Sequence, residues 1–245
     1  MSDNETERLD TVADWYETKG FYQKILKQGY KSIRPYFTGK RCLELGCADG
    51  AMTEHLLDDF ETVVAVDGAS EYCELVRNRL SFDRLDVICS LFEDFRPEQQ
   101  ADTIIMAHVL EHVKNPVNIL QRARSWLRDD GRIIIIVPNG NSLHRQVAVE
   151  MGLLQRPDEI DDHDKELGHR RVYLPDELRD HITQSGLKLR DMGGVGLKPL
   201  TNSQMDELLD EEIQDAYLQM GDRHPKIAAE CYAICAHRDK TDSHY

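Results

Sequence analysis

Glu44-Leu45-Gly46-Cys47-Ala48-Asp49-Gly50 closes a short apolar run and leads into a helix-like segment, Met52 to Asp58. Two glycines at such a place let the backbone bend sharply and approach a ligand, because a Cβ at either position would disfavour positive φ or block the approach. The stretch therefore reads as the first strand-to-helix turn of an α/β nucleotide-binding domain. A pyrophosphate would require G-x-G-x-x-G with a glycine at the middle place, and Ala48 stands there instead. No Walker lysine follows. The turn suits an adenosine without phosphates, and Glu44 beside it would repel a phosphate and help to hold an ammonium group.

Outward from this turn, the periodicity alternates between short β-rich runs and helical segments. Strands are expected at 41–45, 63–67, 86–89, 101–106 and 132–137, with helices at about 50–58, 70–80 and 116–129. Continuous apolar strands separated by helices are what a parallel sheet covered on both faces requires. The expected fold is a doubly wound, mostly parallel seven-stranded α/β sheet. Residues 5–34 carry aromatic and aliphatic side chains at helical spacing, interrupted by Gly20, which predicts two helices before the core. After Pro138-Asn139 the pattern loosens into a polar region up to Tyr173. A helix at 175–185, a strand at 187–192, an acidic helix at 203–219 and a last strand at 229–236 follow. The whole chain, 1–245, reads as one domain. Its parts are an N-terminal helical lid (1–38), a cofactor-binding core (39–138) and substrate-side insertions (139–185 and 195–222).

A net charge of -15 argues against a nucleic-acid partner, since phosphate backbones are held by clustered Lys and Arg. Acidic runs such as Asp58-Asp59, Asp161-Asp162 and 206–212 read as solubilising surface. No apolar run approaches the ~20 residues that span a bilayer. The N-terminal MSDNETERLD lacks the apolar core of a signal peptide, so a cytoplasmic location is expected, without membrane attachment and as a monomer or homodimer. Six cysteines include no C-x-x-C pair, and Cys231 and Cys235 fall on one face of a strand as small core residues.

Three features at strand carboxyl ends converge on one place: the Gly46–Gly50 turn, the carboxylate of Asp67, and the loop His108-Val109-Leu110-Glu111-His112. Ligands of open α/β sheets bind at the switch point beside the first strand, and an acid ending the second strand can accept both hydroxyls of a ribose. Taken in order, LELGCADG (43–50), VVAVDGAS (63–70), SLFEDF (90–95), ADTIIMAHVLEHVKNP (101–116) and LRDDGRIIIIVPN (127–139) resemble the successive motifs of class I S-adenosylmethionine-dependent methyltransferases. Within that class they are most similar to the branch with the ubiquinone-pathway O-methyltransferases. The resemblance is close over residues 40–140, although the usual glycine-rich motif is reduced to Gly46 and Gly50.

The resemblance implies that S-adenosyl-L-methionine is the cofactor and S-adenosyl-L-homocysteine the product. Glu44, Gly46, Cys47, Ala48 and Gly50 would hold the methionine part, Asp67 the ribose, and Gly68 and Ala69 the ribose and adenine surroundings. Leu91 and Phe92 would flank the adenine with Glu93 near its amino group. Ala107, His108 and His112 would line the same site, His108 against the sulfonium end. Tyr16 and Tyr22, in the N-terminal helices, would close over the cofactor.

A sulfonium methyl is already activated, so the enzyme mainly has to align an acceptor and exclude water. A hydroxyl or amine acceptor gains from a base, and His is best poised for that near neutral pH. His169 is the candidate base, with His108 second. His144, Arg145, Arg170, Arg171 and Tyr173 are candidates for orienting the substrate, and 198–204 for another wall of the site. The expected acceptor is a small molecule, natural product or peptide, methylated on oxygen, with N-methylation as the alternative. No metal is expected. One rival reading matches H-x-x-E-H (108–112) to inverted zinc peptidases, which need both histidines on one helix; the preceding β-run and the following Asn115-Pro116 disfavour a helix there. A nicotinamide oxidoreductase and a non-catalytic cofactor-binding scaffold are the remaining alternatives.

Overall fold

The computed structural model describes residues 18–238 together with Leu9. Helix α1 (Gly20–Ile33) precedes β1 (Arg41–Leu45), α2 (Ala51–Asp59), β2 (Thr62–Asp67), α3 (Ser70–Arg79), β3 (Leu85–Cys89), β4 (Ala101–Ala107), α4 (Pro116–Trp126) and β5 (Leu127–Pro138). Then come α5 (Leu143–Glu150), α6 (Asp162–Glu166), α7 (Pro175–Gln184), β6 (Leu187–Val195), α8 (Asn202–Leu208), α9 (Glu211–Gln219) and β7 (Glu230–His237). The strands form one seven-stranded sheet in the order β3-β2-β1-β4-β5-β7-β6, parallel except for β7, which runs antiparallel to both β5 and β6. The expected doubly wound, mostly parallel architecture is therefore present. The first of the two helices expected in 5–34 lies outside the described residues.

Each central strand feeds two cores at once. In β5, Ile134 and Ile136 belong to the cluster that includes Phe21, Ile25, Leu56 and Leu57 of α1 and α2. Ile133, Ile135 and Val137 belong to the opposite cluster with Ile119, Leu120 and Trp126 of α4 and Leu178 and Ile182 of α7. Side chains alternate across a strand, so the run of four isoleucines is apolar throughout because both faces are covered. Cys231 and Cys235 share the second cluster, as their spacing predicts, and all six cysteines are free thiols. Among the described residues, no helix is long and apolar enough to cross a membrane.

Two expected helices differ. The helix at 116–129 ends at Trp126, because Leu127 is drawn into the ladder opposite Ala101 and is itself fully buried. At its start Asn115 caps it, Oδ1 accepting from the Asn118 N–H at 3.0 Å, with Pro116 in the first turn. The acidic helix at 203–219 is two helices. Leu209 is extended, and Asp210 serves as an N-cap whose Oδ1 accepts from Ile213 N–H at 3.0 Å, a use of Asp that a helix interior does not offer. The polar region 139–173 contains α5 and the short α6, the latter closed by a capping box between Asp161 and Asp164.

Ile135 is fully buried in the cluster that holds Trp126. Ile135→Ala should lower unfolding stability by about 2–5 kcal/mol, read as a lower urea midpoint with Trp126 fluorescence as the reporter.

Candidate functional site

Strand β1 pairs β2 on one side and β4 on the other, so the chain leaves their carboxyl ends toward opposite faces and a crevice opens between. Over it lies a cavity of about 1440 Å³. A single-ligand site usually has ~300–1,000 Å³, so this one has room for two molecules side by side. Its floor is the first turn. Gly46 has φ +81°, and a Cβ there would come within 2.7 Å of Val109 Cγ2, so only glycine leaves the floor open. Ala48 also has positive φ, +43°. Asp67 spans this turn and its own: Oδ2 accepts the Ala48 N–H at 3.0 Å and Oδ1 the Ala69 N–H at 2.9 Å. Burial raises its carboxyl above the usual range, partly offset by those N–H groups. The N–H groups of Gly68 and Cys47 also favour its charged form, and Asp67 lines the cavity.

Gly68, Ala69, Leu91, Phe92, Glu93, Ala107 and Tyr22 line the cavity on the same side as Cys47 and Ala48. Glu44 does not. It is buried under the turn, accepts the Thr53 hydroxyl at 2.6 Å, and burial pushes its pKa up to about 8. The expected ammonium contact is corrected accordingly: Glu44 fastens β1 to α2. Gly50 is likewise structural, its α-carbon packed where a Cβ would stand 3.0 Å from Val76 Cγ2 of α3. Tyr16 lies outside the described residues.

The loop after β4 is a turn, with His108 at φ +55°. His108 lies between two buried carboxylates, Nδ1 at 3.2 Å from Glu111 and Nε2 at 3.1 Å from Glu230. Burial pulls its pKa down, but the charges and hydrogen bonds of Glu230 and Glu111 outweigh this and raise it to about 10. With both ring nitrogens engaged by carboxylates, His108 has no lone pair for an acceptor proton, which corrects its reading as a base. The zinc-peptidase pairing is not formed either. His112 turns instead to His169, ring centroids 4.8 Å apart, and Glu111, His112 and His169 bring a carboxylate oxygen and two ring nitrogens within 4.8 Å of one another.

His169 faces the cavity from the loop after α6. Its Nδ1 is 2.9 Å from Asp164 Oδ1, and its backbone N–H donates to the Asp164 carbonyl at 2.8 Å. Arg145 holds Asp164 from the other side, Nη1 to Oδ2 at 3.2 Å, and also donates to the carbonyls of Pro157 and Glu159. Asp164 is kept well down, to about 2, by His169 and Arg145 against the effect of burial. Arg145 is thus committed to protein partners. His144 lines the cavity beside it, its Nδ1 buried without a hydrogen bond.

Arg170, Arg171 and Tyr173 do not line the cavity. Arg170 Nε donates to His112 O at 2.8 Å, and Arg171 Nη1 donates to Leu110 O and Val113 O at 2.5 and 2.6 Å, so the two arginines hold the loop after β4 by its carbonyls. Tyr173 is fully buried in the core, its hydroxyl 3.1 Å from His181 Nδ1. They act on the site through its backbone. Residues 198–204, expected as a further wall, do line the cavity, whereas sequence reasoning missed Asp164 and Glu230. A signal for Glu230 existed: it is the one acid opening an otherwise apolar strand, ECYAICA (230–236).

A mostly parallel seven-stranded sheet with one reversed strand, carrying an adenosine-type seat at its switch point, defines the Rossmann-like class of S-adenosylmethionine-dependent methyltransferases. The family described as a methyltransferase domain matches residues 19–191, and the chain belongs to it. It is 23% identical over 216 residues to a ubiquinone biosynthesis O-methyltransferase of Marinobacter nauticus, spanning 82% of this chain and 88% of the relative. Its fold is that of the N-methyltransferase NodS from Bradyrhizobium japonicum bound to S-adenosyl-L-homocysteine, with TM-score 0.62, 14% identity, and 97% and 100% of the two chains covered. It is also that of the CcbJ methyltransferase from Streptomyces caelestis, with TM-score 0.66, 15% identity, and coverage of 96% and 99%. The enzyme uses S-adenosyl-L-methionine, and the Gly46 floor with the two-handed Asp67 fits it.

His108 should stay protonated at pH 8 when its ring protons are followed by NMR, and Glu230→Gln should bring its titration down toward the ordinary value of 6.5. The ion pairs should contribute fully below pH ~6.5 and be lost as pH rises through about 10. A wild-type midpoint near 6.5 would contradict the arrangement.

Proposed function

We propose that this enzyme methylates a hydroxyl of a small-molecule acceptor. The observation that carries the reading is the Arg145–Asp164–His169 chain ending at the cavity. A neutral hydroxyl becomes a good nucleophile as its proton leaves, and a positioned imidazole can take it. With Nδ1–H assigned as donor to Asp164, Nε2 keeps the lone pair. The names of the curated relatives support transfer to oxygen.

The cofactor supplies a sulfonium-activated methyl. On this reading Gly46, Cys47 and Ala48 cradle its methionine part, Asp67 takes the ribose hydroxyls, and Leu91, Phe92 and Glu93 receive the adenine. His108 with Glu111 and Glu230 carries one formal negative charge at the cavity, which would favour a sulfonium bound there. Tyr22, edge-on to His108 at 5.8 Å, keeps water from that side. His169 Nε2 would take the proton of an acceptor hydroxyl, whose oxygen would receive the methyl group that the cofactor supplies when bound. Residues 139–185 and 195–222 form the acceptor half, and 18–38 the part that covers the cofactor.

Asp67→Ala should weaken S-adenosyl-L-homocysteine binding at least about tenfold by calorimetry, since one charge-assisted contact is worth ~1.5–3 kcal/mol. His169→Ala should leave that binding intact and lower kcat by ~10²–10⁴ on a phenol or alcohol found by a mass shift of one methyl. Transfer to amines alone, or full activity without His169, would overturn the reading.

A further inference from the structure

Lys198 follows β6 and projects into the cavity, where its Nζ donates to Asn202 Oδ1 of α8 at 2.7 Å. An ammonium has three donors. Among the described residues, Lys198 has no other hydrogen bond and no carboxylate in ion-pair range. Lys198 is half-buried, and a cation drawn part-way out of water without a counter-charge is costly; proteins keep one where a ligand supplies the anion. Charges nearby do not fill the role. Glu230 of β7 gives Oε1 to His108, and its Oε2 is buried without a hydrogen-bond partner and forms no ion pair with Lys198. Asp164 of α6 is taken by His169 and Arg145.

A second polar group waits beside it. His144, on the first turn of α5, has a buried Nδ1 with no partner. Burial, with the charges of Lys198 and Arg145, holds its pKa down at about 2, so it is a neutral imidazole. Its tautomer is free to place an N–H toward an anion. Both residues lie on the β5–β7–β6 side of the sheet, whereas the adenosine seat lies over β1 and β2. Three strand spacings, ~14 Å, separate β1 from β7.

From this arrangement we infer that Lys198, seconded by His144, is an anion subsite that docks a carboxylate or phosphate of the methyl acceptor. The acceptor class is then an anionic small molecule carrying its methylatable group at a fixed distance from that anion. This rests on the methyltransferase reading of the cavity, but not on whether oxygen or nitrogen is methylated. The pH behaviour follows from the surroundings of Lys198. Burial lowers its pKa to about 8; Glu230 and Asp164 oppose this and Arg145 adds to it. Anion binding should therefore weaken as pH rises through 8.

The test uses the full chain saturated with S-adenosyl-L-homocysteine, titrated calorimetrically with benzoate and with inorganic phosphate, and with neutral benzyl alcohol as control. At least one anion should bind at pH 7 and the alcohol should not. Lys198→Met should weaken that anion about ten- to hundredfold and abolish the loss above pH 8, and Lys198→Arg should retain binding. Thermal unfolding of each variant checks that it is folded. Equal binding of benzoate and benzyl alcohol without phosphate binding, or unchanged anion affinity in Lys198→Met, overturns the subsite. Weakened S-adenosyl-L-homocysteine binding in Lys198→Met also overturns it, by placing Lys198 on the cofactor. Failure to methylate any hydroxyl would remove the O-methylation reading and leave the subsite standing.

Discussion

Strand β1 is hydrogen-bonded in parallel to β2 and to β4, and the two connections that leave β1 and β4 cover opposite faces. The residues decide this directly. Leu56 and Leu57 of α2 join the cluster on one face, Ile119 and Leu120 of α4 the cluster on the other. Backbone that must diverge at one point cannot fill the space between, and the cavity is that space. Everything chemical in the molecule hangs on this divergence: the Gly46 floor from β1, Asp67 from β2, and His108 from β4 are neighbours only because their strands are.

The charge pattern around the cavity follows a consistent rule. Of the acids below the turn and loop, Glu44 accepts from Thr53 and Asp67 from Ala48 and Ala69, while Glu111 and Glu230 flank His108, with Glu111 Oε1 and Oε2 and Glu230 Oε2 left without a hydrogen bond. They hold the backbone in shapes it would not otherwise keep, including the positive φ of Ala48 and His108. Unused hydrogen-bonding capacity also remains at His169, His144 and Lys198, over β5, β7 and β6. On the proposed reading, the Asp67 contacts to Ala48 and Ala69 support the adenosine seat, and His169, His144 and Lys198 face the acceptor.

The sequence was legible where one residue type answers to one physical demand. Gly46 at a tight approach, Asp67 at a strand end and the alternating isoleucines of β5 each have few substitutes, and each stands where it was expected. Legibility failed where a polar side chain can serve either a ligand or the backbone. Arg170 and Arg171 sit in a polar segment and read as substrate contacts, yet loop carbonyls take their donors. Tyr173 reads as a substrate-orienting residue beside them but anchors the segment inside the core. Conversely Glu230, 119 residues beyond Glu111, reaches the same imidazole only because β7 is reversed and its start meets the end of β5. No local pattern carries such a long-range pairing.

That reversal has a consequence for how the molecule is made. Strand β7 is the most C-terminal of the sheet, yet it lies inside it, between β5 and β6. From the completion of β5 until residues about 90 positions later emerge, the Ile133–Val137 edge has no partner on that side. At translation rates of ~5–20 residues per second this interval lasts about 5–20 s. An open apolar edge is an invitation to intermolecular pairing. Until β7 pairs with it that edge of β5 stays open, and Glu230 can reach His108 only at the end of this interval.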